Sequence, residues 1–315
     1  MYRKIVVGYD GKEQAADALA LAAQLRAEDG TVIAACVYPA TGPGRGQQLG
    51  WVMEDAAGET LAGARKQIDA DWLSLQPVLG HSSAHGLHVL SEEAEADVVV
   101  VGSSHRGEVG RVLAGSTGER LLNGSPCPVA VAPRGFAARG GAPRVVGVPF
   151  DGSEEAAAAL REGAALARAF GATLKVVTVV PPLEVFTADP GDRRYHADAE
   201  IERYRREEFR RILEDAAEPL PEELRAATVL LDGQPAAEIV DEAGKDMDLL
   251  AMGSRNYGPI RRVMVGSTAI AVMRRSPCPV IVIPRGAAHP ERGRRGHVGD
   301  DERQVPHGVA EPAGP

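Results

Sequence analysis

Two stretches of this chain carry residue types that could hold an anion. The first reads G-S-S-H-R-G-E-V-G-R-V-L-A-G-S-T from Gly102, and the second reads G-S-R-N-Y-G-P-I-R-R-V-M-V-G-S-T from Gly253. Glycines fall at matching places, Gly102, Gly107 and Gly115 against Gly253, Gly258 and Gly266, and the last is followed by Ser116-Thr117 and by Ser267-Thr268. A glycine that ends a strand permits positive φ and lets a phosphate come close to main-chain N–H groups. A Gly-Ser-Thr that opens a helix adds hydroxyls and free amides at a positive dipole end. Any one of these glycines could be ordinary turn chemistry; the pattern occurring twice, each time after a strand and before a helix, predicts an anion site. His105, Arg106 and Arg111 in the first stretch, and Arg255, Arg261 and Arg262 in the second, either assist that site or serve solubility.

A second pair of candidates follows the first strand of each repeat. Asp10 and its counterpart Asp151 precede a glycine and the start of a helix. One reading is a helix N-cap, which Asp performs well; the other is a carboxylate accepting hydrogen bonds from a ribose or a base. The glycine loops are not a Walker A motif, because no Gly-Lys-[Ser/Thr] follows at the required distance, and Gly8-Tyr-Asp-Gly11 lacks dinucleotide spacing. No Ser/His/Asp order, HExxH or paired-carboxylate motif stands out, so a hydrolase reading has little support and no catalytic residue and no metal ligand is assigned.

The elements that position these residues are duplicated. GYDGKEQAADAL from Gly8 is answered by PFDGSEEAAAAL from Pro149 at an offset of 141, whereas DVVVVGS, RVLAGST and SPCPVAVAPRG are answered at an offset of 151. The second copy therefore has a middle ten residues longer, assigned to a loop within Pro181–Glu200. Each copy alternates apolar strands with helical spacing. In the first, strands are expected at Lys4–Tyr9, Thr31–Tyr38, Leu75–Leu79, Asp97–Val101 and Val129–Ala132, with helices at Glu13–Asp29, Glu54–Trp72, Leu87–Ala96 and Ser116–Asn123. Strands apolar on both faces and separated by helices point to an α/β class with a parallel sheet covered on both sides. In the second copy Glu200–Asp215 reads as a charged, solvent-facing helix. Domains are expected over 1–134 and 144–285, with a linker over 135–143 and a disordered tail over 286–315.

Composition narrows the function classes. The chain has 315 residues, a net charge of −9, 44% hydrophobic residues and only 4% aromatics. That is enough length for two cores and too little basic character for a nucleic-acid or anionic-membrane footprint. The opening MYRKIVVGYDG turns into a strand at once, and no apolar run reaches membrane-spanning length, so a cytoplasmic protein is expected. Cys36, Cys127 and Cys278 are too scattered for a disulfide framework or a zinc site and read as small buried hydrophobes.

At these residues the chain resembles the universal stress protein (UspA-like) family in a tandem two-domain form. The resemblance spans Tyr2 to Arg285: the VGYDG and VPFDGS starts, the ADVVVVGS and MDLLAMGS strands, the GST turn and the SPCPV run. It implies two tandem doubly wound domains of the adenine nucleotide alpha hydrolase-like kind, each a five-stranded parallel sheet in order 3-2-1-4-5 with helices on both faces. In one branch of the family it implies an ATP site on G-x-x-G-x9-G-[S/T]. Gly102 and Gly253 fill its first position, and Gly115-Ser116 and Gly266-Ser267 its last. His105 and Asn256 stand where the middle glycine would be, and both residue types tolerate positive φ. Asp10 and Asp151 match ribose-contacting positions, and Val37 and Val179 adenine-contacting ones. Lys12 replaces Ser153, so the second site is expected to be the better ordered. The implied function is ATP binding that regulates a stress response through occupancy, with turnover at most slow ATP hydrolysis or nucleotidyl transfer, Asp10 or Asp151 placing a metal, and with two copies forming an intramolecular pseudo-dimer. The alternative is a dimerising interaction scaffold of the same fold that binds no nucleotide, with the apolar strands 129–132 and 280–283 needing cover. A homodimer stays open under either reading.

Overall fold

The computed structural model describes residues 1–39, 46–104, 108–183, 199–224, 226–254 and 266–284. The first half runs β1 (Tyr2–Gly8), α1 (Glu13–Leu25), β2 (Arg26–Pro39), α2 (Gly46–Gln67), β3 (Leu73–Gly80), α3 (Ser83–Glu93), β4 (Val98–Gly102), α4 (Ser116–Leu122) and β5 (Val129–Ala132). The second runs β6 (Val145–Pro149), α5 (Glu154–Phe170), β7 (Thr173–Val180), α6 (Ala199–Ala217), β8 (Ala227–Asp232), α7 (Pro235–Asp246), β9 (Leu249–Gly253), α8 (Ser267–Met273) and β10 (Val280–Ile283).

These strands form one sheet, β3-β2-β1-β4-β5-β10-β9-β6-β7-β8. Each half has the order 3-2-1-4-5 with parallel pairing, as the resemblance implied. The two halves meet where β5 and β10 pair antiparallel, Val131 opposite Val280, Ala130 opposite Ile281 and Val129 opposite Val282. Neither apolar strand is left as an edge, because each covers the other.

Alternation along the strands sorts the core into two layers. Ile5, Val7, Val98 and Val100 pack with α1 and α2, and in the second half Val146, Val148 and Leu249 pack with α5 and α6. On the opposite face Val6, Val99, Val101 and Val129 meet α3 and α4, while Leu250 and Val280 meet α7 and α8. Strands buried on both faces read as unbroken apolar runs for this reason. Just before β4 the Asp97 carboxylate accepts from the N–H groups of Arg3 and Lys4, at 2.8 and 2.9 Å, and Asp248 repeats this for Arg144 and Val145. Each aspartate thus ties the start of the fourth strand of its half to the start of the first.

Several boundaries differ from the sequence reading. The helix expected to reach Asp29 ends at Leu25, because Arg26 turns extended (φ −71°, ψ 133°) and its guanidinium takes the carbonyls of Ala27, Glu28 and Gly30. α3 starts at Ser83, four residues early, capped by the Ser82 hydroxyl accepting from His85 N–H at 3.2 Å. α6 is charged but not wholly solvent-facing: Leu213 and Ala216 are buried, so one stripe joins the core. The segment joining the halves is docked rather than loose. The buried Asp17 carboxylate on α1 accepts from Gly135 and Ala137 N–H, both at 2.8 Å, around a 3₁₀ turn at Phe136–Ala138. The 286–315 tail and most of the longer middle, 184–198, lie outside the described residues.

Candidate functional site

In an open parallel sheet a crevice forms beyond the carboxyl ends of the strands where the order reverses. Each half has a cavity there, of about 380 Å³ in the first and about 310 Å³ in the second. The first brings together Asp10, Val37, Gly102, Gly115, Ser116 and Thr117. The second brings together Asp151, Val179, Gly253, Gly266 and Thr268, whereas Ser267 is exposed and not part of its wall. His105 and Gly107, with Arg106, lie outside the described residues, as do Asn256 and Gly258 with Arg255, Arg261 and Arg262.

The capping reading of the aspartates is corrected by geometry. The N-caps are Lys12, which makes no side-chain cap bond, and Ser153, whose hydroxyl accepts from Ala156 N–H at 3.2 Å. Asp10 and Asp151 sit two residues earlier. Each folds back on its own turn, accepting from Lys12 N–H at 3.2 Å and from Ser153 N–H at 3.1 Å. Gly11 and Gly152, at φ 77° and 81°, supply the left-handed step between aspartate and helix. Asp10 also takes a 2.7 Å ion pair from the Lys12 ammonium, and this bond and charge raise the Lys12 pKa. In the second half the Ser153 hydroxyl donates to Asp151 at 2.5 Å.

Gly102 and Gly253 line the cavities, but packing and not a positive φ requires glycine at them. Neither has positive φ. A Cβ on Gly102 would lie 2.0 Å from the Gln14 carbonyl oxygen, and one on Gly253 would lie 2.5 Å from that of Glu155. These glycines let the first turn of the helix lie against the strand end. Gly115 is the opposite case: its backbone is extended (φ −76°) and an added Cβ would meet nothing nearer than Ser104 at 3.6 Å. Neither conformation nor packing demands glycine there, and the bare main chain lies on the cavity wall.

The sequence reading missed Ser103 and Ser104, although two hydroxyls directly after a strand-ending glycine are a legible signal. Both line the first cavity. Buried Ser103 donates to Ala132 O at 2.8 Å and accepts from Leu113 N–H at 3.2 Å, while Ser104 N–H donates to Leu113 O at 2.7 Å. These bonds close the base of the loop and deliver Gly115 to the cavity. Also missed was Phe209 of α6, which with Phe150, Pro235 and Ile239 makes the second cavity more apolar than the first.

Cys127 and Cys278 are buried, as expected, and burial pushes their thiols up to about 12. Cys36 departs from the expectation: it is half-buried and lines the first cavity, its pKa raised by burial and then by the Asp10 charge. Among the described residues no group of three His, Cys, Asp or Glu side chains could hold a metal ion, and no helix is long and apolar enough to cross a membrane.

These features can be set beside known proteins. The sequence model of the universal stress protein family matches residues 1–133 and again 143–284. Universal stress protein Rv2319c of Mycobacterium tuberculosis is 30% identical over 210 residues, covering 65% of this chain and 71% of the relative. Universal stress protein YxiE of Bacillus subtilis is 33% identical over 141 residues, 43% of this chain and 95% of the relative. The crystal structure of a universal stress protein from Archaeoglobus fulgidus superposes with a TM-score of 0.63 at 21% identity, covering 90% of this chain and 99% of that one, which speaks for the fold. With both halves matched and the strand order repeated twice, the chain belongs to the universal stress protein family.

Proposed function

We propose that the protein binds an adenine nucleotide, ATP in the first instance, in one or both of its cavities, and that it acts in a stress response through occupancy rather than turnover. The observation that carries this reading is the bare Gly115 main chain, open to the first cavity beside the Ser116 and Thr117 hydroxyls, with Asp10 and Val37 on the other walls. The polyphosphate would lie along Gly115–Thr117. The carboxylate would take ribose hydroxyls, and the base would rest on Val37. In the second half Gly266 and Thr268, Asp151 and Val179 would take the same parts.

The scaffold reading began from apolar strands in need of cover. Those strands cover one another within the chain, so they do not call for a second copy. We read the two halves as a pseudo-symmetric pair that linkage holds at high effective concentration.

Calorimetric titration of nucleotide-stripped protein with Mg-ATP tests the proposal. One or two sites per chain are expected, with at least about a tenfold loss at the first site in Gly115→Val and at the second in Gly266→Val. Absence of heat in the unmodified protein, or unchanged affinity in both variants, overturns it.

A further inference from the structure

The loop that delivers Gly115 to the first cavity is held by the second half of the chain as well as by its own. Val112 N–H donates to Ser276 O at 2.7 Å, and Ala114 N–H to Met273 O at 3.3 Å. The Arg111 guanidinium reaches Arg275 O at 3.3 Å. From the joining segment, Arg139 spans Gly110 O and Pro277 O, at 3.2 Å each. All the acceptors on the second half belong to the end of α8 and the turn after it. The beginning of α8 is at the other cavity, since Thr268 and Ala269 form part of its wall. One two-turn helix, about 10 Å long at 1.5 Å per residue, therefore touches the second cavity at one end and the first cavity's loop at the other.

The contact is packed as well as hydrogen-bonded. Val112, Val272 and Met273 have 0% exposure, and Ala114 has 6%. α4, which starts at the first cavity, is strapped to the same helix end: Glu119 accepts from Arg274 Nε and from a terminal guanidinium nitrogen, at 3.1 and 2.9 Å. At the internal repeat offset Glu119 corresponds to Ile270 and Arg274 to Asn123, so the repeat does not duplicate this strap.

We propose that α8 couples the two cavities, so that a nucleotide in the second repositions the Arg111–Ala114 loop and changes the affinity of the first. The proposal rests on the nucleotide reading above. Close-packed contacts transmit such a shift rather than absorbing it, and linkage makes the effect reciprocal.

The test uses the full chain carrying Ser116→Glu, which sets a carboxylate where the first cavity would take phosphate. Calorimetry should then show one remaining Mg-ATP site, and hydrogen exchange of residues 110–115 should change about fivefold on ATP addition, an effect lost when Arg274→Ala is added. One-site binding with unchanged exchange at 110–115 overturns the coupling and leaves the nucleotide reading intact. Loss of all binding in Ser116→Glu means that the second cavity takes no nucleotide, and this also overturns it. No binding by the unmodified protein overturns both. Should Ser116→Glu fail to fold, the stepwise affinities of the unmodified protein and of Arg274→Ala decide: their ratio should differ by about fivefold, and identical ratios overturn the coupling.

Discussion

At the scale of the residue, the chemistry of a side chain here follows from which wall it stands on. Cys36 lines the first cavity, whereas Cys127 and Cys278 are buried with thiols raised to about 12. Iodoacetamide should therefore modify Cys36 first in the folded protein, as read by mass spectrometry, and Mg-ATP should slow that modification; equal labelling of all three thiols would count against the cavity. Glu242 gives a pH dependence. Burial raises its pKa, but hydrogen bonds from Lys245 at 2.6 Å and Lys175 at 2.9 Å, with their charges, outweigh burial and hold it below the ordinary 4.5. A carboxylate whose folded value lies below its unfolded one contributes stability that is complete above the unfolded value and is lost as pH falls through the folded one. Urea unfolding should accordingly show Glu242→Gln less stable than the unmodified protein at pH 7, with the gap closing as the pH falls below 4.5. The two aspartates show how far residue types alone could be read. That Asp10 and Asp151 stand at a strand end was legible, but the choice between a helix cap and a carboxylate on the cavity wall depended on the two-residue step made by Gly11 and Gly152.

At the scale of the element, the glycines divide into those the fold requires and those it does not. Gly102 lets α1 lie against β4, so Gly102→Ala should cost about 2 kcal/mol or more, since backbone must move. Gly115→Ala should stay within about 0.5 kcal/mol, as its Cβ meets only Ser104; a denaturant series on the two variants separates these roles. Asp17 offers a second check, for Asp17→Ala removes the buried acceptor of two part-buried bonds to the joining segment and should cost roughly 1–2 kcal/mol. Strand positions were legible because apolar runs such as Val98–Val101 have few alternatives, whereas the order 3-2-1-4-5 came with the family resemblance and not with the runs. Helix ends were less so. The end of α1 depends on Arg26 turning back onto the carbonyls of Ala27, Glu28 and Gly30, and the buried stripe of α6 is only a few residues in a charged helix. The docking of residues 135–141 was hidden because the repeat offers no guide: Asp17 corresponds to Ala158.

At the scale of the whole molecule, the two repeats are each matched by the family model, and their sheets join into one of ten strands. The repeat revealed the halves, but pairing between β5 and β10 involves strands some 150 residues apart in sequence, a separation that no local pattern encodes. A fragment ending at residue 134 would expose Val129–Ala132 as a bare apolar edge, so it should self-associate in sedimentation velocity while the full chain presents no such edge at β5. The same pairing sets a schedule for synthesis. β5 leaves the ribosome long before β10, and at roughly 5–20 residues per second its partner arrives about 8–30 seconds later. For that interval the nascent first half carries an open apolar strand and an Arg111–Ala114 loop not yet braced by residues 273–277, so the cavity whose lining it already contains rests on a loop held from one side alone.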